Sequence, residues 1–189
     1  SLSPGQNTTG LVPLTDFDNR PIWREGEEPT ADDVAERLEA FHAPYHAALE
    51  AEIARVKALH GVAILYDCHS IRSHCPFLFE GELPDFNIGT NHGETCAAEI
   101  ERATADVCAE AAGFSSVLNG RFVGGWTTRH YGRPERGEHA IQMELAQATH
   151  LKSEAVPFDY DEEKAARLRP HLKAILARLA EIAPTLKGK

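Results

Sequence analysis

Residues 61–76 read GVAILYDCHSIRSHCP. An apolar run rich in β-branched residues follows a helical pattern and ends in Asp67, Cys68, His69 and Ser70. Such a run reads as a buried strand of a parallel or mixed sheet. Its polar end, with Arg72, His74 and Cys75 just beyond, suits a buried strand only if something binds there.

The flanking sequence supplies helices and further strands. Residues 1–29, with Pro4, Pro13, Pro21 and Pro29, read as an irregular segment. Thr30 starts a helix, with Asp33 as its acidic first-turn partner. Val34, Leu38, Phe41, Tyr45, Leu49, Ile53 and Val56 recur at spacings of three and four, as one apolar face does. Pro44 falls inside that pattern and should kink it. Downstream, residues 84–93 form a Gly/Asn-rich loop with a short strand at DFNIG. A helix is expected from Thr95 to Ala112, with Cys96, Ile100, Ala103, Val107 and Ala111 inward and Gly113 just beyond its end. FSSVLN, WTTRHYG and EHAIQMELA read as strands, the last two joined by the turn-rich GRPERG. A final helix starts near Asp161, carries Leu168, Leu172, Ile175, Leu179 and Ile182 on one face, and is interrupted by Pro170. Helices alternating with apolar strands make the fold α/β, a mixed and largely parallel sheet flanked by helices.

The 189 residues suit one domain with a real core, and 42% hydrophobic with 25% charged residues is a globular balance. A formal charge of −10 argues against nucleic acid, whose phosphates need a basic footprint. No run is long enough to span a bilayer, and no export signal is visible. Four cysteines without a CxxC pair give neither a disulfide scaffold nor a thiolate zinc knuckle, so a cytoplasmic setting is expected. The sequence gives no sign of oligomeric state.

Ligands of open α/β sheets bind beyond the carboxyl ends of the strands. There the first strand delivers Asp67 and His69, FSSVLN leads into Asn119 and Arg121, and the late strand contains Glu144. A glutamate between Met143 and Leu145 is costly to bury without a partner. Strand alternation leaves open that it faces solvent. Asp67 and His69, two apart, project to one side of an extended strand. That suits an aspartate orienting a metal-binding imidazole, and equally a plain Asp–His pair. A zinc hydrolase needs three protein ligands and an open position. No HExxH is present, and spacing alone does not assemble three ligands. A Cys–His dyad from Cys68 or Cys75 is a lesser alternative, and without GxSxG the Asp67, His69 and Ser70 trio is no better. Arg121 and Arg129 lie around Gly120, Gly124 and Gly125, and Arg72 follows His69. Their guanidinium forks match carboxylates, pointing to a small dicarboxylic substrate, while any one arginine equally serves as a surface salt-bridge partner.

LYDCHSIRS, LPDFNIGTN, NGRFVGGWTTRHYG, HAIQMELAQ and the opening SPGQNTTGLVPLTDFDNRPIW resemble the N-formylglutamate amidohydrolase family, in order from residue 4 to about residue 182. The resemblance implies a fold similar to zinc-dependent carboxypeptidase-like hydrolases, with one divalent metal, zinc. It implies His69 as a metal ligand and Glu144 as the carboxylate that activates water, and the spacing then suits Asp67 as the residue behind the imidazole. Arg72, Asn119, Arg121, Arg129 and His130 would line the pocket of a small dicarboxylic N-acyl amino acid. The implied reaction is hydrolysis of N-formyl-L-glutamate to formate and L-glutamate, in histidine degradation. The family's other metal ligands lie upstream, in a strand–helix segment with a Pro-His-x-Gly motif that no part of residues 1–189 matches. No methionine stands ahead of Ser1. The expectation is thus a single domain over 1–189 lacking that segment. A deacylase of another N-acyl amino acid, aspartoacylase-like, and a metal-free remnant that binds carboxylates are the alternatives.

Overall fold

A computed structural model describes residues 11–186. The first ten residues of the irregular opening, with the SPGQNTTG part of its motif, lie outside the described residues. Two compact units are present, residues 11–52 with 75–81 and residues 53–74 with 82–186.

The first unit begins irregularly, as its prolines imply. Asp16 Oδ1 accepts the N–H groups of Asp18 and Arg20, both at 2.9 Å. Helix α1, Ala31–Arg37, starts where expected: Thr30 Oγ1 accepts the Asp33 N–H at 3.2 Å while Asp33 Oδ2 accepts the Thr30 N–H at 2.8 Å. A π-helical turn, Leu38–His42, then leads into α2, Ala43–His60. Pro44 has no N–H to give the ladder, and the Ala43 N–H reaches back to the Leu38 carbonyl instead. This extra residue in the turn shifts the register, so the expected single apolar face is not buried. Leu38, Phe41 and Tyr45 are all exposed, Phe41 at 72%.

The second unit carries one open sheet. Its strands are β1 (Ala63–Ile71), β2 (Phe86–Gly89), β3 (Ser116–Leu118) and β4 (Glu138–Ala146), in the order β1-β4-β2-β3. The β1–β4 and β2–β3 pairings are parallel and β2–β4 is antiparallel, so the sheet is mixed and mostly parallel. Between the strands run α3 (Ala98–Ala109) and α4 (Trp126–Tyr131), and α5 (Glu162–Ile182) closes the order. Alternation divides the sheet's two faces. Phe86, Ile88, Ile141 and Met143 form the core with Ile100 and Cys108 of α3 and Leu168, Ile175 and Leu179 of α5. The other face carries Asp67, His69, Asn87, Gln142 and Glu144.

Three expectations are corrected. Pro170 does not interrupt the last helix, since α5 runs unbroken over Glu162–Ile182 with the proline inside it. WTTRHYG is helix α4, not a strand. Its Trp, Thr and Tyr content is strand-like, but Gly124 at φ +113° turns the chain, Gly125 caps a helix, and Trp126 stacks on His130 one turn later. The helix expected from Thr95 begins only at Ala98 and ends at Ala109. Thr95 Oγ1 donates to the Ala140 carbonyl at 2.8 Å and the Ala97 N–H to His139 Nδ1 at 3.3 Å, so tertiary partners hold this entry extended. Ile100, Ala103, Thr104 and Cys108 are the buried residues of α3.

Candidate active site

His69 and Glu144 are Cα partners in the parallel pairing of β1 with β4, and Asn87 faces Glu144 from β2. Directly opposed residues point to one face, so three adjacent strands place imidazole, carboxylate and amide in one row. Asp67 and Gln142 are likewise partners, one step back along the strands. The site thus grows from the pleat itself.

Glu144 is 7% exposed, which excludes its reading as a solvent-facing strand residue. Burial pushes its carboxyl up to about 7, the imidazole of His69 draws it down, and Asp67 pushes it up. His69 Nε2 lies 2.9 Å from Asp67 Oδ1, so the two share a side as their spacing requires. That hydrogen bond holds the imidazole's pKa above its ordinary value against partial burial. Thr128 of α4 donates from Oγ1 to Asp67 Oδ2 at 3.2 Å.

The α4 segment reaches the sheet because β2 lets it. A Cβ on Gly89 would lie 2.5 Å from Gly124 N and 2.7 Å from the Val123 carbonyl carbon. With glycine there, the 123–125 backbone lies directly on β2, and the Gly125 N–H donates to Gln142 Oε1 at 2.6 Å. Gln142 Nε2 in turn donates to Glu144 Oε2 at 3.3 Å.

The other expected site residues are placed less directly. Arg72 follows the end of β1 and is half-buried. Arg121 is exposed, its guanidinium 5.4 Å from the Phe122 ring. Arg129 donates from Nη1 to the Gly124 carbonyl, and His130 stacks on Trp126 with ring centroids 4.1 Å apart. Asn119, at φ +50°, turns inward: Oδ1 accepts the Thr90 N–H at 2.9 Å and Nδ2 donates to Thr90 Oγ1 at 2.8 Å. Its amide shapes the loop after β2. Among the described residues, no three His, Cys, Asp or Glu side chains form a group that could hold a metal ion. A catalytic zinc takes three protein ligands, so the donors described here do not by themselves make one.

A model of the N-formylglutamate amidohydrolase family matches residues 1–151. The chain belongs to the N-formylglutamate amidohydrolase family. It is 49% identical over 172 residues to an N-formylglutamate deformylase of Pseudomonas aeruginosa and 47% identical over 172 residues to one of Pseudomonas putida. Each alignment covers 91% of this chain and 64% of the relative, so the chain spans less than two thirds of the length of these relatives. Its fold is similar to the crystal structure of an N-formylglutamate amidohydrolase from Ralstonia eutropha, with a TM-score of 0.78 at 23% identity over 96% of this chain and 64% of that one. A gene product of Agrobacterium tumefaciens shares the fold at TM-score 0.62 and 14% identity, over 90% and 62% of the two chains.

Three residues of this candidate site escaped the sequence reading: Asn87, Thr128 and Gln142. Asn87 is 1% exposed; its Nδ2 donates to the Pro84 carbonyl at 2.7 Å and the Glu144 carbonyl at 3.1 Å. Gln142 carried a usable signal, standing two before Glu144 in the same strand and hence on the same face. Asn87 and Thr128 carried none, because the β2–β4 register and the helical form of α4 place them.

Proposed function

We propose that the full-length protein hydrolyses N-formyl-L-glutamate to formate and L-glutamate. The observation that carries this reading is the in-register opposition of His69 and buried Glu144 on one face of the sheet. The identity to N-formylglutamate deformylases supports the substrate. Glu144 acts as the base: a carboxylate oxygen takes a proton from the water that attacks the formyl carbon. The same oxygen returns that proton to the departing amine nitrogen, so the carboxylate is regenerated. A carboxyl held near neutrality suits both halves of that exchange. Gln142 orients the carboxylate, and Asp67 orients the imidazole.

Zinc dependence is part of the proposal. His69 would hold the ion through Nδ1, since Nε2 faces Asp67, with the remaining ligands lying beyond the described donors. Such an ion supplies Lewis-acid polarisation of the carbonyl. Arg72, Arg121, Arg129 and His130 are proposed to meet the substrate's carboxylates, Arg129 with the donors its bond to Gly124 leaves over. Asn119 is proposed to support that pocket through the loop it organises. A cytoplasmic role in histidine degradation goes with this reading. Among the described residues no helix is long and apolar enough to cross a membrane.

The test is release of the free amino acid by the purified full-length protein from N-formyl-L-glutamate, N-formylglycine and N-acetyl-L-aspartate, with formate measured for the two formyl substrates. Glu144→Gln should lower kcat by about a hundred- to ten-thousand-fold with KM little changed. Preference for N-acetyl-L-aspartate would replace the substrate, and full activity of Glu144→Gln would remove the base.

A further inference from the structure

A cavity of about 440 Å³ lies on the α5 side of the sheet, lined in part by Asp85, Phe114, Thr149, Lys164, Arg167 and His171. It is separate from the row of His69 and Glu144. Phe114 packs on Phe86, whose partner in the sheet is Leu145, and Leu145 points away from the face that carries Glu144.

Three lining residues are basic, in a chain whose formal charge is −10. Lys164, Arg167 and His171 are spaced three and four apart on α5, which puts them on one stripe of the helix. Leu168 and Ile175 turn into the core instead, so the stripe is not a by-product of core packing. Lys164 uses one of its three donors on the Leu151 carbonyl at 2.6 Å. His171 is held edge-on by the Phe114 ring, centroids 5.3 Å apart.

The acid in the wall is already engaged. Asp85 Oδ2 accepts both the N–H and the O–H of Ser115, each at 2.8 Å. No salt bridge joins Asp85 to Lys164 or Arg167, and Arg167 makes no hydrogen bond or ion pair among the described residues. The planar fork of Arg167 and the two donors that Lys164 has left thus line an open cavity of small-ligand size, with Asp161 a carboxylate whose charge Lys164 also meets.

We propose that this cavity binds a small oxyanion, a phosphate or a carboxylate, gripped by Arg167 and Lys164 with His171 alongside. Its occupancy does not depend on hydrolysis at Glu144, so the two readings stand or fall separately.

The experiment is an amide NMR titration of the full-length protein with inorganic phosphate and, separately, with acetate. Saturable shifts at Thr149, Lys164 and His171 are expected. Arg167→Glu, a change at an exposed helix position, should weaken binding by about tenfold or more, and Lys164→Gln should weaken it less. Tighter binding of phosphate would assign a phosphate-bearing ligand, and tighter binding of acetate a carboxylate. No saturable shift with either anion, or undiminished affinity in a folded Arg167→Glu protein, overturns the proposal.

Discussion

Gln142 joins Glu144 to the α4 segment: its Nε2 donates to Glu144 Oε2 while its Oε1 accepts the Gly125 N–H. Thr128 Oγ1 lies 3.4 Å from the same Oε1. One amide thus holds the carboxylate at one end and the loop above the sheet at the other. Replacing Gln142 with Leu keeps the volume and removes both bonds. The Gly125 N–H then loses its acceptor, at a cost of about 1–3 kcal/mol. Denaturant titration should report that loss, and kcat on N-formyl-L-glutamate should fall while the Gln142→Glu variant recovers stability only at acidic pH.

His69→Ala in the full-length protein is expected to abolish stoichiometric zinc retention and leave the circular dichroism spectrum unchanged. The side chain is half-exposed at the end of β1, so its loss leaves no core cavity. Elemental analysis checks this, and full zinc content in the variant would remove His69 from the ligand set.

Gly89→Ala should destabilise the fold by about 1–3 kcal/mol, because the new methyl group meets backbone atoms that no rotamer change can move. Displacement of residues 123–125 would also lengthen the bond from Gly125 to Gln142. The chemical shift of the Gly125 amide should therefore move in this variant, along with the melting temperature.

Asn87→Asp should be far worse at pH 7 than at pH 5. The buried carboxylate would inherit the place of an amide that donates to two carbonyls, and a charged acceptor has nothing to offer them. Protonation restores one donor, so the stability deficit measured in urea should shrink as pH falls.

His139 predicts the opposite slope for the wild-type chain. Its Nδ1 accepts the Ala97 N–H at the entry to α3, its Nε2 has no hydrogen-bond partner, and burial lowers its pKa despite the nearby Glu99. The unfolded chain therefore takes up a proton first. The stability that the neutral ring contributes is present above about pH 6.5 and is lost as pH falls through the folded value. His150 is also lowered by burial, so the difference between wild type and His139→Asn isolates the effect. That variant keeps an acceptor but cannot titrate, and its stability should fall less between pH 7 and pH 5.

Much of this architecture was legible because local signals and tertiary demands agree. β4 is the span EHAIQMELA, β1 contains the run that ends at His69, and α5 begins after Asp161, whose carboxylate accepts the Glu163 and Lys164 N–H groups. Asp67 and His69 were assigned to one side from spacing alone, and they are hydrogen-bonded. Whether Glu144 is buried was not legible, because alternation fixes relative faces and leaves open which face is covered. WTTRHYG misled because its composition favours strands while its flanking glycines and its contacts to Asp67 and Gln142 favour a short helix. The apolar spacing around Phe41 was read correctly as helical, but a π turn cannot be seen in a spacing of threes and fours.

The parallel pairing of β1 with β4 has a kinetic consequence. These strands lie far apart in the chain, with β2, α3, β3 and α4 between them, so their ladder closes a long loop before any contact rewards it. His69 and Glu144 sit within that ladder. Helix α3 and the β2–β3 pair draw on nearer residues and are expected to form first. Refolding of the full-length protein followed by pulsed hydrogen exchange should therefore show the amides of these local elements protected before the proposed hydrolytic activity appears. The two groups proposed to do the chemistry meet only when the most distant pairing in the sheet has formed.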